Sequence, residues 1–205
     1  MAGDASAFYR VAQGVLRFSF RVLQGLQVDG LENVPAQGAC LIVSNHCSWL
    51  DPPVLGCSLA HRQLHFMAKK ELFERPLLGR VIRALGAFPV ERGQADRKSL
   101  RLALDLLGQG RIVCLFPEGT RGRGGPMGPW HVGVAMLANH AGVPIVPAAL
   151  TGTRNLLEER AQKPARSPIR VRFGPALHFH ALTGTSRERL HKVQAGVQQM
   201  LDGMQ

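Results

Sequence analysis

The chain has 205 residues, enough for one sizeable core and too few for two, so a single α/β-sized domain is expected. Hydrophobic residues make up 45% and charged residues 19%, which excludes wholesale disorder. A formal charge of +11, from 25 basic and 14 acidic residues, selects for anionic partners: nucleic acid, an anionic membrane surface or a phosphorylated substrate.

The opening MAGDASAFYR has no basic region leading into an apolar one, so no secretory signal is expected. From Phe8 to Leu26, apolar residues recur at Phe8, Val11, Val15, Phe18, Val22 and Leu26. Arg10, Gln13, Arg17, Arg21 and Gln24 keep the same spacing on another face, which predicts an amphipathic helix. Its stripe can pack on the core with the arginines in water. Alternatively the helix lies in a membrane interface, with Leu16, Phe20 and Leu23 widening the apolar face. Residues 1–27 are read as this helix and residues 28–205 as the main domain.

After a segment rich in turn formers, Cys40 to Ser44 (CLIVS) reads as a buried parallel strand. Asp51 precedes Pro52 and Pro53, which predicts a helix from Pro52 to Leu59 with Asp51 as its N-cap. His46 then falls on the loop at the carboxyl end of a strand, where open α/β sheets place their ligands. The pattern continues with strands at Leu64 to Ala68, Ala87 to Val90, Ile112 to Phe116, Ile145 to Leu150 and Ile169 to Phe173. Helices are expected at Leu77 to Leu85, Lys98 to Leu107, about Val132 to His140 and near Ser186 to Leu201. This alternation predicts a mostly parallel central sheet flanked by helices. The stretch from Gly124 to Thr153 lacks Lys, Arg, Asp and Glu, but four prolines and several polar residues interrupt it. No transmembrane helix is expected.

Three loops carry chemistry. His46 and Asp51 form an HxxxxD arrangement, in which a carboxylate can orient an imidazole that accepts a proton from a hydroxyl. The plainer alternative is a strand-to-helix turn whose polar groups only satisfy the backbone. Cys47 and Ser48 are adjacent, but neither serine nor cysteine sits in a nucleophile elbow, so His46 is read as activating a substrate hydroxyl. In FPEGTRGRGG, Gly119 permits close backbone approach, Thr120 offers a hydroxyl and Arg121 a planar fork suited to phosphate. Glu118 is expected to orient Arg121 or bind a substrate hydroxyl. GAFPVERG ends in Arg92, a second arginine at a strand end. Residues 61–101 carry ten Lys and Arg against four acids, a net +6. The four cysteines, Cys40, Cys47, Cys57 and Cys114, form no CxxC pair and no zinc-like spacing. They are expected to be reduced residues of a cytosolic protein, with no metal site.

NHCSWLD (Asn45 to Asp51), GAFPVER (Gly86 to Arg92), FPEGTR (Phe116 to Arg121) and VPIVPAAL (Val143 to Leu150) stand in the order and spacing of the four motif blocks of the glycerolipid acyltransferases. MAKKELF, Met67 to Phe73, resembles the segment between the first two blocks. Over roughly Val28 to Phe173 the chain resembles the 1-acylglycerol-3-phosphate acyltransferase family.

The resemblance implies transfer of an acyl chain from coenzyme A or acyl carrier protein to lysophosphatidic acid, forming phosphatidic acid, with no bound cofactor. His46 would be the general base and Asp51 its partner. Asn45, Arg92, Glu118, Gly119, Thr120 and Arg121 would contact the acceptor, and Pro147 lies in the block associated with acyl or acceptor binding. One departure is PWHVG, where His131 and Val132 precede Gly133 and the family commonly carries a lysine. This leaves room for glycerol 3-phosphate or another lysophospholipid as acceptor.

The expected setting is peripheral, on the cytosolic face of a membrane. A nucleic-acid-binding module would explain the charge but not HxxxxD, and Tyr9, Trp49 and Trp130 are scattered. A membrane-binding protein without catalysis leaves His46 and Asp51 without a role.

Overall fold

The computed structural model describes residues 5–59, 62–91, 96–122, 127–154 and 168–204. Helix α1 (Ala7–Gln24) starts where the Ser6 hydroxyl accepts from the Tyr9 amide, and it stops at Gly25 in the left-handed region. Strand β1 (Gln27–Asp29) and a single 3-10 turn lead to β2 (Cys40–Ser44), α2 (Asp51–Ser58) and β3 (Leu64–Lys69). Then follow α3 (Pro76–Ala84), β4 (Ala87–Val90), α4 (Arg97–Gly108), β5 (Ile112–Leu115), α5 (Gly133–Ala141), β6 (Ile145–Thr151), β7 (Arg170–Phe173) and α6 (Ser186–Asp202).

The seven strands form one sheet in the order β1-β7-β6-β2-β5-β3-β4. From β6 to β4 all neighbours are parallel, as the alternation predicts. At the other edge β7 runs antiparallel to β6, with Ala148 opposite Phe173, and β1 runs parallel to β7. The sequence reading missed β1, a three-residue strand hidden among turn formers. Gly30 ends it: a Cβ there would lie 2.0 Å from the Phe173 carbonyl oxygen, and its φ is +70°.

The sheet divides the core into two layers, which explains the unbroken apolar run of β2. Leu41 and Val43 face α4, α5 and α6, where they meet Ala103, Leu107, Leu137 and Val193. Cys40 and Ile42 face the opposite layer with Val54 and Leu55 of α2.

Helix α1 packs on this second side through Tyr9, whose hydroxyl accepts from the Leu64 amide, and through the partly buried Leu16 and Phe20. The Gln13 side-chain amide donates to the carbonyls of Gly56 and Leu59 at the end of α2. Most of the expected apolar stripe therefore points the other way: Phe8, Val11, Val15, Phe18 and Val22 are exposed, Phe18 at 70%, whereas Leu26 at its end is buried, and of the residues expected to widen it only Leu23 stays exposed. Packing of that stripe on the core is thus corrected. Polar Gln13 supplies the carbonyl-capping contact that a purely apolar face could not. Among the described residues no helix is long and apolar enough to cross a membrane.

Candidate active site

Strand β2 ends at Ser44 between β5 and β6, and the loop from Asn45 to Leu50 emerges at the carboxyl edge of the parallel strands. There His46 Nδ1 lies 2.8 Å from Asp51 Oδ2. Asp51 is fully buried and His46 is 8% exposed.

Asp51 is the first residue of α2, and Leu50 holds the N-cap position without a side-chain bond. The expected capping role is therefore corrected. The carboxylate turns back to the loop, where Oδ2 accepts from the Cys47 amide at 2.6 Å and the Ser48 amide at 2.8 Å. Its other oxygen, Oδ1, accepts from the Thr153 hydroxyl at 2.6 Å. Thr153, itself fully buried, stands just past the end of β6. A buried carboxylate needs such donors, and four of them fix this one in place.

The tautomer that donates Nδ1–H to Asp51 is the one in which Nε2 of His46 can accept a proton. The Phe116 ring stacks on the imidazole at a centroid distance of 4.3 Å and an interplanar angle of 28°.

The FPEGTR loop also grips His46 by its backbone. The His46 amide donates to Glu118 Oε1 at 3.1 Å, and its carbonyl accepts from the Gly122 amide at 2.7 Å. Glu118 Oε2 accepts from the Gly128 amide. Of the two roles expected for this carboxylate, orienting Arg121 gives way to joining three loop segments, and binding of a substrate hydroxyl is left open. Gly119 has φ +66°, and a Cβ there would lie 2.7 Å from His131 Nε2, so only glycine lets that imidazole close over the turn.

Arg121 is exposed, with its guanidinium carbon 4.6 Å from the centre of the Trp49 ring, and Thr120 beside it is exposed too. Asn45 is turned inward: its side-chain amide donates to the Leu150 carbonyl and accepts from the Leu150 amide, both at 2.9 Å. Pro147 is buried in mid-strand opposite Val43, and its carbonyl accepts from the Gly174 amide. Arg92 lies outside the described residues.

Neither neighbouring side chain is poised as a nucleophile. Burial and the Asp51 charge push the Cys47 thiol up to about 12, so it carries its proton at neutral pH. The Ser48 hydroxyl is buried and accepts from the Leu50 amide.

Sequence reasoning missed Thr153 and Phe116. Phe116 opens the FPEGTR motif and was legible as the last residue of an apolar strand. Nothing local marks Thr153, which lies 102 residues beyond Asp51.

The acyltransferase family model matches residues 25–151 of this chain. A 1-acyl-sn-glycerol-3-phosphate acyltransferase of Bacillus subtilis is 34% identical over 144 residues, covering 70% of this chain and 71% of that protein. One from Pseudomonas aeruginosa is 34% identical over 181 residues, covering 84% and 69%. In fold, the chain is similar to the crystal structure of a 1-acyl-sn-glycerophosphate acyltransferase from Thermotoga maritima. The TM-score is 0.76 at 24% identity, covering 96% of this chain and 80% of that one. With its family model running through the loops that join His46, Asp51 and Glu118, this chain belongs to the acyltransferase family and is an acyltransferase enzyme.

Proposed function

We propose that this acyltransferase acylates the free hydroxyl of 1-acylglycerol 3-phosphate, forming phosphatidic acid, with an acyl thioester of coenzyme A or acyl carrier protein as donor. The relatives' activities favour this acceptor, and the buried His46–Asp51 pair with Nε2 left free carries the mechanism.

His46 Nε2 takes the hydroxyl proton as the acceptor oxygen attacks the thioester carbonyl. Asp51 stabilises the imidazolium that forms. The tetrahedral intermediate collapses by breaking the carbon–sulfur bond, and the imidazolium returns its proton to the departing thiolate. The products are one ester and one thiol, and no covalent acyl-enzyme is needed, in keeping with the protonated thiol of Cys47.

The acceptor's phosphate meets Arg121, whose fork is held against Trp49, with the Thr120 hydroxyl and Arg92 completing its contacts. Glu118 and Gly119 shape the loop that receives it. Asn45 and Pro147 act through the strands they brace.

Attachment is peripheral, through the outward stripe of α1, with Phe8, Val11, Val15 and Phe18 among acyl chains and Arg10 and Arg21 toward anionic headgroups. The acceptor then reaches the site from the bilayer it resides in.

The test is acylation of lysophosphatidic acid by the purified protein, compared with glycerol 3-phosphate and other lysophospholipids at a fixed donor. His46→Ala should lower kcat by about 10² to 10⁴-fold. A wild-type rate in that variant would remove the general-base assignment, and preference for another acceptor would redirect the substrate while keeping the chemistry.

A further inference from the structure

Large apolar side chains left in solvent concentrate on two helices. Six lie on α1, and Leu77, Leu78 and Val81 lie on α3, with Leu77 at 76% the most exposed of them all. The sequence of α3, PLLGRVIRA, contains Arg80 and Arg83 and no acid, and Arg75 stands at its N-cap.

The helix is held from beneath by a narrow contact. Gly79 rests on the Phe73 carbonyl, where a Cβ would come within 2.6 Å, and the Arg83 guanidinium lies 4.8 Å from the centre of the Phe73 ring. Leu77, Leu78 and Val81 belong to neither core layer.

Topology places this helix on the same side of the sheet as α1. The crossovers β2–α2–β3 and β3–α3–β4 step the same way along the sheet. Right-handed crossovers therefore set α2 and α3 on one side, the side on which α1 packs against α2. The first turn of α3 follows the carboxyl end of β3. The last turn of α1 feeds β1, which runs opposite to the central strands, so it too lies at the carboxyl edge. Both exposed apolar ends thus stand at the edge that carries His46.

We infer that α3 is a second lipid-contacting element: Leu77, Leu78 and Val81 enter the acyl region of an anionic bilayer while Arg75 and Arg80 meet its phosphates. The cationic composition of α3 is what selects an anionic bilayer over another apolar cover. Two contacts at one edge fix the tilt of the molecule, which one helix lying flat cannot do, and they turn the His46 loop toward the lipid. This inference rests on the membrane attachment proposed for α1.

The test uses the full chain and vesicles of equal parts phosphatidylglycerol and phosphatidylcholine, with co-sedimentation as readout. The double variant Leu77→Ser with Val81→Ser is compared with Phe18→Ser with Val22→Ser on α1. Circular dichroism and the rate on a short-chain, monomeric acceptor serve as controls, and both should match the wild type because every substituted residue is exposed.

The α3 variant should lose vesicle affinity by about a hundredfold, the low end of the scale set by two apolar side chains leaving the bilayer. Its rate on vesicle-borne acceptor should fall in step. Wild-type binding by the α3 variant alone overturns the role of α3 and leaves that of α1. Wild-type binding by both variants overturns the membrane reading as a whole. Light scattering that shows α3 holding two copies together, with vesicle binding unchanged, overturns the lipid assignment in favour of a second copy.

Discussion

At the residue scale, the distinctive feature is how completely Asp51 is held. Two loop amides and the His46 ring occupy Oδ2, and the Thr153 hydroxyl occupies Oδ1. Removing the Thr153 hydroxyl leaves Oδ1 of a fully buried carboxylate with only the long 3.8 Å contact from the Cys47 thiol, so Asp51 and the imidazole it orients are held less firmly. Thr153→Val should therefore lower kcat by about tenfold with little change in KM for the acceptor, while Thr153→Ser restores most of the rate. Equal losses in the Val and Ser variants would point to packing rather than to the hydroxyl. The sequence showed His46 and Asp51 because they are five apart on one loop. It named Asn45 and Glu118 too, but not the contacts they make, and it missed Thr153 altogether, because these residues' partners lie 105, 72 and 102 residues away.

At the scale of elements, helix positions follow from local chemistry, and the caps carry the measurable consequences. Asp96 caps α4, accepting from the amides of Lys98 and Ser99 and from the Ser99 hydroxyl, and it also accepts from the Glu91 amide. Burial opposes its charge, but these hydrogen bonds outweigh that effect and hold its carboxyl down to about 2. Because the folded value lies below the unfolded one of about 4, the cap stabilises the fold fully above pH 4 and is lost as pH falls toward 2. Asp96→Ala should lower Tm at pH 7, and the gap from the wild type should close between pH 4 and pH 2. A gap that persists at pH 2 would assign the loss to something other than the charge. The same cap ties Glu91 to the start of α4, across the segment that carries Arg92. The helix α1 teaches a complementary lesson: its period was correct, yet Tyr9 and Gln13, rather than the stripe, meet the body.

At the scale of the whole molecule, the proposed membrane attachment draws on both the net +11 charge and the apolar surface of α1. Screening weakens attraction to an anionic leaflet over about 8 Å at physiological ionic strength, but it leaves apolar insertion intact. Vesicle binding should therefore fall with added salt to a plateau rather than to zero. Deleting residues 1–26 should lower the plateau to the part that α3 supplies, as measured by co-sedimentation across a salt series. Unchanged binding after that deletion would return α1 to a purely structural role. By itself the sequence determined the alternation of strands and helices, the mostly parallel sheet and the loop that pairs His46 with Asp51. These depend on hydrophobic period, Pro and Gly placement and residues close along the chain. Only the tertiary structure decided that β7 reverses, that β1 joins the sheet, that Glu118 holds a backbone rather than an arginine, and that α1 and α3 leave their apolar sides in solvent. Each of these is fixed by which surfaces meet across the sheet, and periodicity reveals an apolar face without revealing what, if anything, covers it.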